Sequence, residues 1–135
     1  MNVEELFQQV EQNCGVHIFI DDDEFDECGY YIPEAQAIGI NPNQSEQDIV
    51  ESVIHEVAHH VDIVENNHPN RRDIDGEVIA HAVGEVVFWN APIQGVISEV
   101  EDDIRESYMF NGVVSVDEDD IREVADRVRI VCNYF

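Results

Sequence analysis

The chain predicts an α+β fold, with a short mixed sheet packed on a bundle of helices. Strand-like runs of four or five residues crowd into the first forty positions, and apolar residues then recur at helical spacing almost to the end of the chain. A hydrophobic content of 44% over 135 residues is enough to bury one core without help from disulfides. That length fits a single domain, 1–135.

Val3, Leu6, Phe7 and Val10 share one face of a short amphipathic helix that runs to Gln12 and is ended by Gly15. Val16 to Ile20 reads as a strand, followed by an acidic turn, Asp21 to Asp26. Gly29 to Ile32 and Ala37 to Ile40 read as two strands joined by a short turn through Pro33, and Asn41-Pro42 stops the sheet. Ser45 is placed to cap a helix with Glu46, Gln47 and Asp48 in its first turn. Ile49, Val50, Val53, Ile54, Val57 and Val61 carry that helix to about Val64. Asn66 to Asp75 reads as a polar loop, and a second patterned helix runs from about Gly76 to Trp89, stopped near Pro92. A third covers roughly Val96 to Phe110. Asn111-Gly112 makes a turn, and Asp117 caps a last helix ending near Val131.

The charge is lopsided. Against 31 Asp and Glu stand six basic residues, all arginine, for a formal net charge of -25. Such a surface repels nucleic-acid phosphates, so no direct nucleic-acid partner is expected. Because the acids are spread over every segment, they read as a solvated surface adapted to a salt-rich cytoplasm. The alternative is an acidic decoy that binds a basic or DNA-binding protein. The two accounts part on salt. A halophilic surface is expected to lose melting temperature as KCl is lowered from multimolar to low concentration, because unscreened carboxylates repel one another. A salt-insensitive melt favours the decoy.

Cys14, Cys28 and Cys132 are odd in number and lack C-x-x-C spacing, which argues against a disulfide framework and a cysteine zinc site. Met1 to Val10 lacks the layout of a signal peptide, and no apolar run approaches membrane-spanning length. A cytoplasmic protein with no membrane partner is expected.

The chemistry concentrates in His55-Glu56-Val57-Ala58-His59, an H-E-x-x-H on a helix. Residues four apart lie one turn above each other, so both imidazoles project from one face and can share one Zn²⁺. Glu56 is turned to the side of that line, where a carboxylate can act as general base on an attacking water. This is the zincin pattern, and it sits inside a strongly apolar helix, where two histidines and a glutamate are costly to bury without a role. A catalytic zinc needs a third protein ligand and one open position. Glu77, His81 and Glu85 share a face of the next helix, and Glu77 follows His59 by 18 positions, a gluzincin-like arrangement. Glu77 is the leading third ligand, with Glu85, His68 and His81 as alternatives. Its rival reading is a solvated acid favoured by the dipole of the helix N-terminus. His81 reads either as a further partner for a ligand or substrate or as a polar residue at the helix surface, and His60 is expected on the exposed side. His17 reads as structural, and Tyr108 or Tyr134 as a phenol for a developing oxyanion or as packing.

Gly15-Val16-His17-Ile18, Gly29-Tyr30-Tyr31, Ile38-Gly39-Ile40-Asn41, the His55–His59 motif and Glu77-Val78-Ile79-Ala80-His81-Ala82 together resemble the ImmA/IrrE family of small zinc-dependent peptidases, over roughly Cys14 to Trp89. The resemblance implies His55, His59 and Glu77 as metal ligands and Glu56 as catalytic base. It also implies peptide-bond hydrolysis of a protein partner, often a regulatory one. The stretch Ala82 to Trp89 departs from the family pattern and leaves Glu77 against Glu85 open. The expected fold is then a zincin-like domain with the metal between the two central helices. An extended peptide would lie along the strand Ala37 to Ile40 as an open edge. The rival is a non-catalytic zinc-bound interaction module, which a fourth protein ligand would mark.

Overall fold

The computed structural model describes residues 3–23, 27–65, 73–110 and 118–135. Helix α1 (Val3–Cys14) leads into strand β1 (His17–Ile20), and β2 (Gly29–Ile32) and β3 (Ala37–Ile40) form a hairpin. Helices α2 (Glu46–Glu65), α3 (Asp73–Val87), α4 (Ile93–Phe110) and α5 (Glu118–Cys132) follow. The result is a small α+β fold with a mixed three-stranded sheet in the order β1-β3-β2.

Local chemistry explains the boundaries. Leu6 and Val10 bury one face of α1, and Gly15 ends the helix at φ +66, where a residue without Cβ meets no steric penalty. The hairpin turn runs through Pro33, whose fixed φ starts it, to Gln36 at φ 48. The Gln36 amide closes the turn on the Pro33 carbonyl at 3.2 Å. At the start of α2 the Asp48 amide donates to Ser45 Oγ at 3.1 Å, the N-cap bond the sequence predicts.

Strand β3 is the middle of the sheet. It runs parallel to β1 and antiparallel to β2, and all four of its residues are buried. It is therefore not the open edge that its position after a hairpin suggested. The run Ala-Ile-Gly-Ile is apolar on both faces, which suits a central strand rather than a half-solvated one. Gly39 stands opposite Phe19 on one side and Tyr30 on the other, and the rings of these two meet edge to face with centroids 6.1 Å apart. A Cβ on Gly39 would come within 2.4 Å of the Tyr30 ring, so a close approach of ring to backbone requires glycine here. The edges of the sheet are β1 and β2.

Helix α2 is the hub, in contact with α1, β2, β3, α3 and α5. Val53, Ile54, Val57, Ala58 and Val61 bury its apolar stripe against Ile38 and Ile40 from the sheet and Ile79 and Val83 from α3. Each of the valine and isoleucine side chains contributes roughly 1.5–3 kcal/mol on burial. Helix α3 begins at Asp73, about three residues earlier than the sequence suggests, so Asp75 is helical and buried rather than in a polar loop. Helix α4 likewise begins early, at Ile93, directly after Pro92, a residue suited to a helix start. The expected Asn111-Gly112 turn and Asp117 cap lie outside the described residues, as does the 66–72 part of the loop. Among the described residues no helix is long and apolar enough to cross a membrane, and Cys14, Cys28 and Cys132 are free thiols.

Candidate metal centre

His55 and His59 stand one turn apart on α2, their ring centroids 4.8 Å apart and their Nε2 atoms 3.2 Å apart. Packing of α3 against α2 brings Glu77 across from them. Its Oε1 lies 3.0 Å from His59 Nε2 and its Oε2 3.4 Å from His55 Nε2. Among the described residues these three form one group of potential metal donors, all within 4.8 Å of one another.

The group is compact enough for one ion to bridge. Donors at roughly 2.0–2.1 Å from zinc, separated by the tetrahedral angle, lie about 3.3 Å from each other. The two imidazole nitrogens stand 3.2 Å apart, and each faces a different oxygen of Glu77, at 3.0 and 3.4 Å. The donor set fits as well. Two imidazole nitrogens facing each other at 3.2 Å cannot both carry protons without repulsion, so at least one offers a lone pair into the gap. Burial and the neighbouring His59 push the His55 imidazole below its usual pKa, against the pull of Glu77, and this favours the neutral form that binds metal. The side chains of His55 and His59 are 26% and 15% exposed and that of Glu77 is 58% exposed, so one side of the group faces solvent.

Glu56 is not one of the three donors. Its Cγ lies 3.7 Å from the position a Cβ on Gly29 would occupy, which places it under the first residue of β2. Burial, with Glu77 and then Glu27 adding to it, pushes its carboxyl up to about 7. It helps line a cavity of about 360 Å³, with Gly29, Asp48, Glu51, Ser52 and His55. His81 lines the same cavity and packs its ring edge on His55, centroids 5.2 Å apart, but it is not in the donor group. Glu85 lies two turns beyond Glu77 and is not in the group either; His68 lies outside the described residues.

Two expectations change. His60 is 2% exposed rather than on the surface. Its Nε2 lies 2.8 Å from the Cys14 carbonyl, an acceptor only, so Nε2–H donates there, and Nδ1 shares a hydrogen bond with the Tyr31 hydroxyl at 2.7 Å. One buried imidazole thus joins α1, β2 and α2. The signal was present, since His60 follows Val53 and Val57 by seven and three positions and so shares their buried face. Tyr134 is hydrogen-bonded to Glu65 at the far end of α2, so it does not serve the cluster. His17 has a 71% exposed side chain, but its ring stacks on Phe19 with centroids 6.3 Å apart and its Nδ1 lies 3.6 Å from Glu11. The Tyr108 side chain lies outside the described residues.

A pair the sequence reading passed over is Asp62 with Arg127. The guanidinium spans the carboxylate with two bonds of 2.8 Å, and the side chains are 1% and 4% exposed. Asp62 follows Ala58 by one turn on the buried stripe, and that placement was the available clue.

Comparison of the chain with protein-family models, curated proteins and solved structures finds no match.

Proposed function

We propose that this protein is a zinc-dependent peptidase of the zincin type, acting in the cytoplasm on a peptide or protein substrate. The observation that carries the reading is the group His55, His59 and Glu77, with donor atoms within 4.8 Å of one another and Glu56 offset from it in a cavity. His55, His59 and Glu77 would hold the ion, and the solvent-facing side of Glu77 would give water access to it. Zinc there would act as a Lewis acid on water and on the scissile carbonyl.

The rest falls to side chains of the chain itself. Glu56 accepts a proton from the attacking water and returns it to the departing amine. In the metal-free protein burial holds its carboxyl above the usual range, which favours taking up a proton. Strand β2, an edge strand whose Gly29 borders the cavity, takes the place first given to β3 as the ledge for an extended peptide. The likeness to the ImmA/IrrE peptidases supports the same assignment and suggests regulatory cleavage of a partner. Three free cysteines fit a reducing compartment.

The test is metal content. Purified protein is expected to hold about one Zn²⁺ per chain, as for a mononuclear site. The double substitution His55→Ala, His59→Ala is expected to remove most of it. Equal zinc in both proteins by elemental analysis ends the reading.

A further inference from the structure

Beside the candidate centre lies a second hollow of about 180 Å³ between α2 and α3, lined by Glu51, His55, His81, Gly84, Glu85 and Trp89. It has room for one side chain rather than a whole ligand. Several independent features agree on what that side chain would be. Trp89 is a large aromatic left 59% exposed at the rim, its ring braced edge-on by Phe88 with centroids 4.8 Å apart. An indole attracts cations, and guanidinium groups stack on it especially well. Glu51 from α2 and Glu85 from α3 bring carboxylates from the two walls. Gly84 and Glu85 belong to the last turn of α3, and that turn carries no basic side chain, so the negative end of the helix dipole is left for an incoming cation. No arginine is among the described residues lining the hollow. A Cβ at Gly84 would meet nothing within 4 Å, so space for the guest is open.

We infer that this hollow is a specificity subsite for an arginine side chain of the substrate. His55 lines it and is also in the donor group, so an arginine seated here lies next to the scissile position. Selection of an arginine-bearing segment rests on the peptidase reading, but occupation of the subsite does not need the metal.

Trp89 is the single tryptophan of the chain, so its emission reports this subsite alone. The full-length protein would be titrated with acetyl-Ala-Arg-Ala-amide and with the same peptide carrying citrulline, which keeps the shape and loses the charge. Both titrations use the same KCl concentration, with and without a chelator, while zinc is measured separately. The arginyl peptide is expected to bind about tenfold more tightly, a preference of the size that stacking plus two carboxylates supplies. Calorimetry extends the comparison to variants. Glu51→Gln with Glu85→Gln is expected to remove most of that preference, and Glu4→Gln with Glu106→Gln, which lowers the surface charge equally at distant exposed positions, to leave it intact. Gly84→Met fills the hollow without changing charge and favours the helix, and it is expected to weaken the arginyl peptide severalfold. Equal affinity for the two peptides, or equal losses from both Glu-to-Gln pairs, overturns the subsite. A chain that binds no zinc yet keeps the preference sinks the peptidase reading and leaves the subsite standing. A chain that binds zinc without the preference does the reverse.

Discussion

Glu56→Gln is expected to lower hydrolysis of a denatured protein substrate by a factor of about 10²–10⁴ while the protein keeps its zinc, the size expected when a positioned general base is removed. The amide preserves size and hydrogen bonding but cannot accept the proton of the attacking water. Glu56 stands outside the donor group, so its loss leaves the three contacts to the ion in place. Glu77→Gln is expected to behave in the opposite way, weakening zinc retention itself, because a neutral amide is a poor ligand for a divalent ion. Stability provides a control. In the metal-free protein Glu56 is raised from 4.5 to about 7, so the folded state holds that proton more tightly than the unfolded state does. A raised carboxyl therefore costs stability progressively as pH rises through that window, and the cost is complete above about 7. Glu56→Gln removes the cost, so at pH 8 the metal-free variant is expected to melt no lower than wild type. A low rate together with an intact or raised melting temperature separates lost chemistry from lost fold. Loss of zinc from Glu56→Gln with retention in Glu77→Gln exchanges the two roles and defeats the assignment.

The histidines of the candidate group were legible because their signal is local. An i, i+4 histidine pair needs only helical geometry, and helical periodicity through residues 49–61 supplies it. Glu77 was legible as a residue on the next helix, but its choice over Glu85 was not, because the axial offset of α3 against α2 is a tertiary quantity. That offset places Glu77 at the level of the histidines and Glu85 two turns on, beside Trp89. Strands β2 and β3 match their expected limits because Pro33 and Asn41-Pro42 punctuate them. Strand order was harder. A hairpin fixes its own two strands, and only the long-range pairing of β1 puts β3 in the centre. The buried polar groups were hardest. His60 and Asp62 are polar by type, and they are buried because partners distant in sequence satisfy them, Cys14 and Tyr31 for His60 and Arg127 for Asp62. Composition carries no record of such pairings.

Arg127→Met is expected to destabilise the fold by about 3–5 kcal/mol, the usual cost of leaving a buried charge without its partner. Arg127 reaches from α5 into the core and holds both oxygens of Asp62. Asp75, 4% exposed on α3, is near enough to add to the field on the guanidinium. Removing the cation leaves two buried carboxylates with less to balance them, so the penalty exceeds the loss of two hydrogen bonds. Arg127→Lys is expected to recover only part of it, because an ammonium cannot span a carboxylate in parallel as a guanidinium does. Arg127→Met with Asp62→Leu is expected to recover more than either, since an apolar pair of similar volume removes both desolvation costs at once. The consequence reaches the candidate centre. Asp62 lies three residues past His59, so the Arg127 bond from α5 braces α2 just beyond the level at which its histidines stand. Arg127→Met is therefore expected to weaken zinc retention although Arg127 touches none of the three donors. Denaturant titration in constant KCl, paired with zinc competition against a chelator, measures both effects. A variant within about 1 kcal/mol of wild type, the scale of a surface ion pair, would mean that the Asp62–Arg127 pair is not the clamp described. Full destabilisation with unchanged zinc affinity in the folded fraction would detach the clamp from the site.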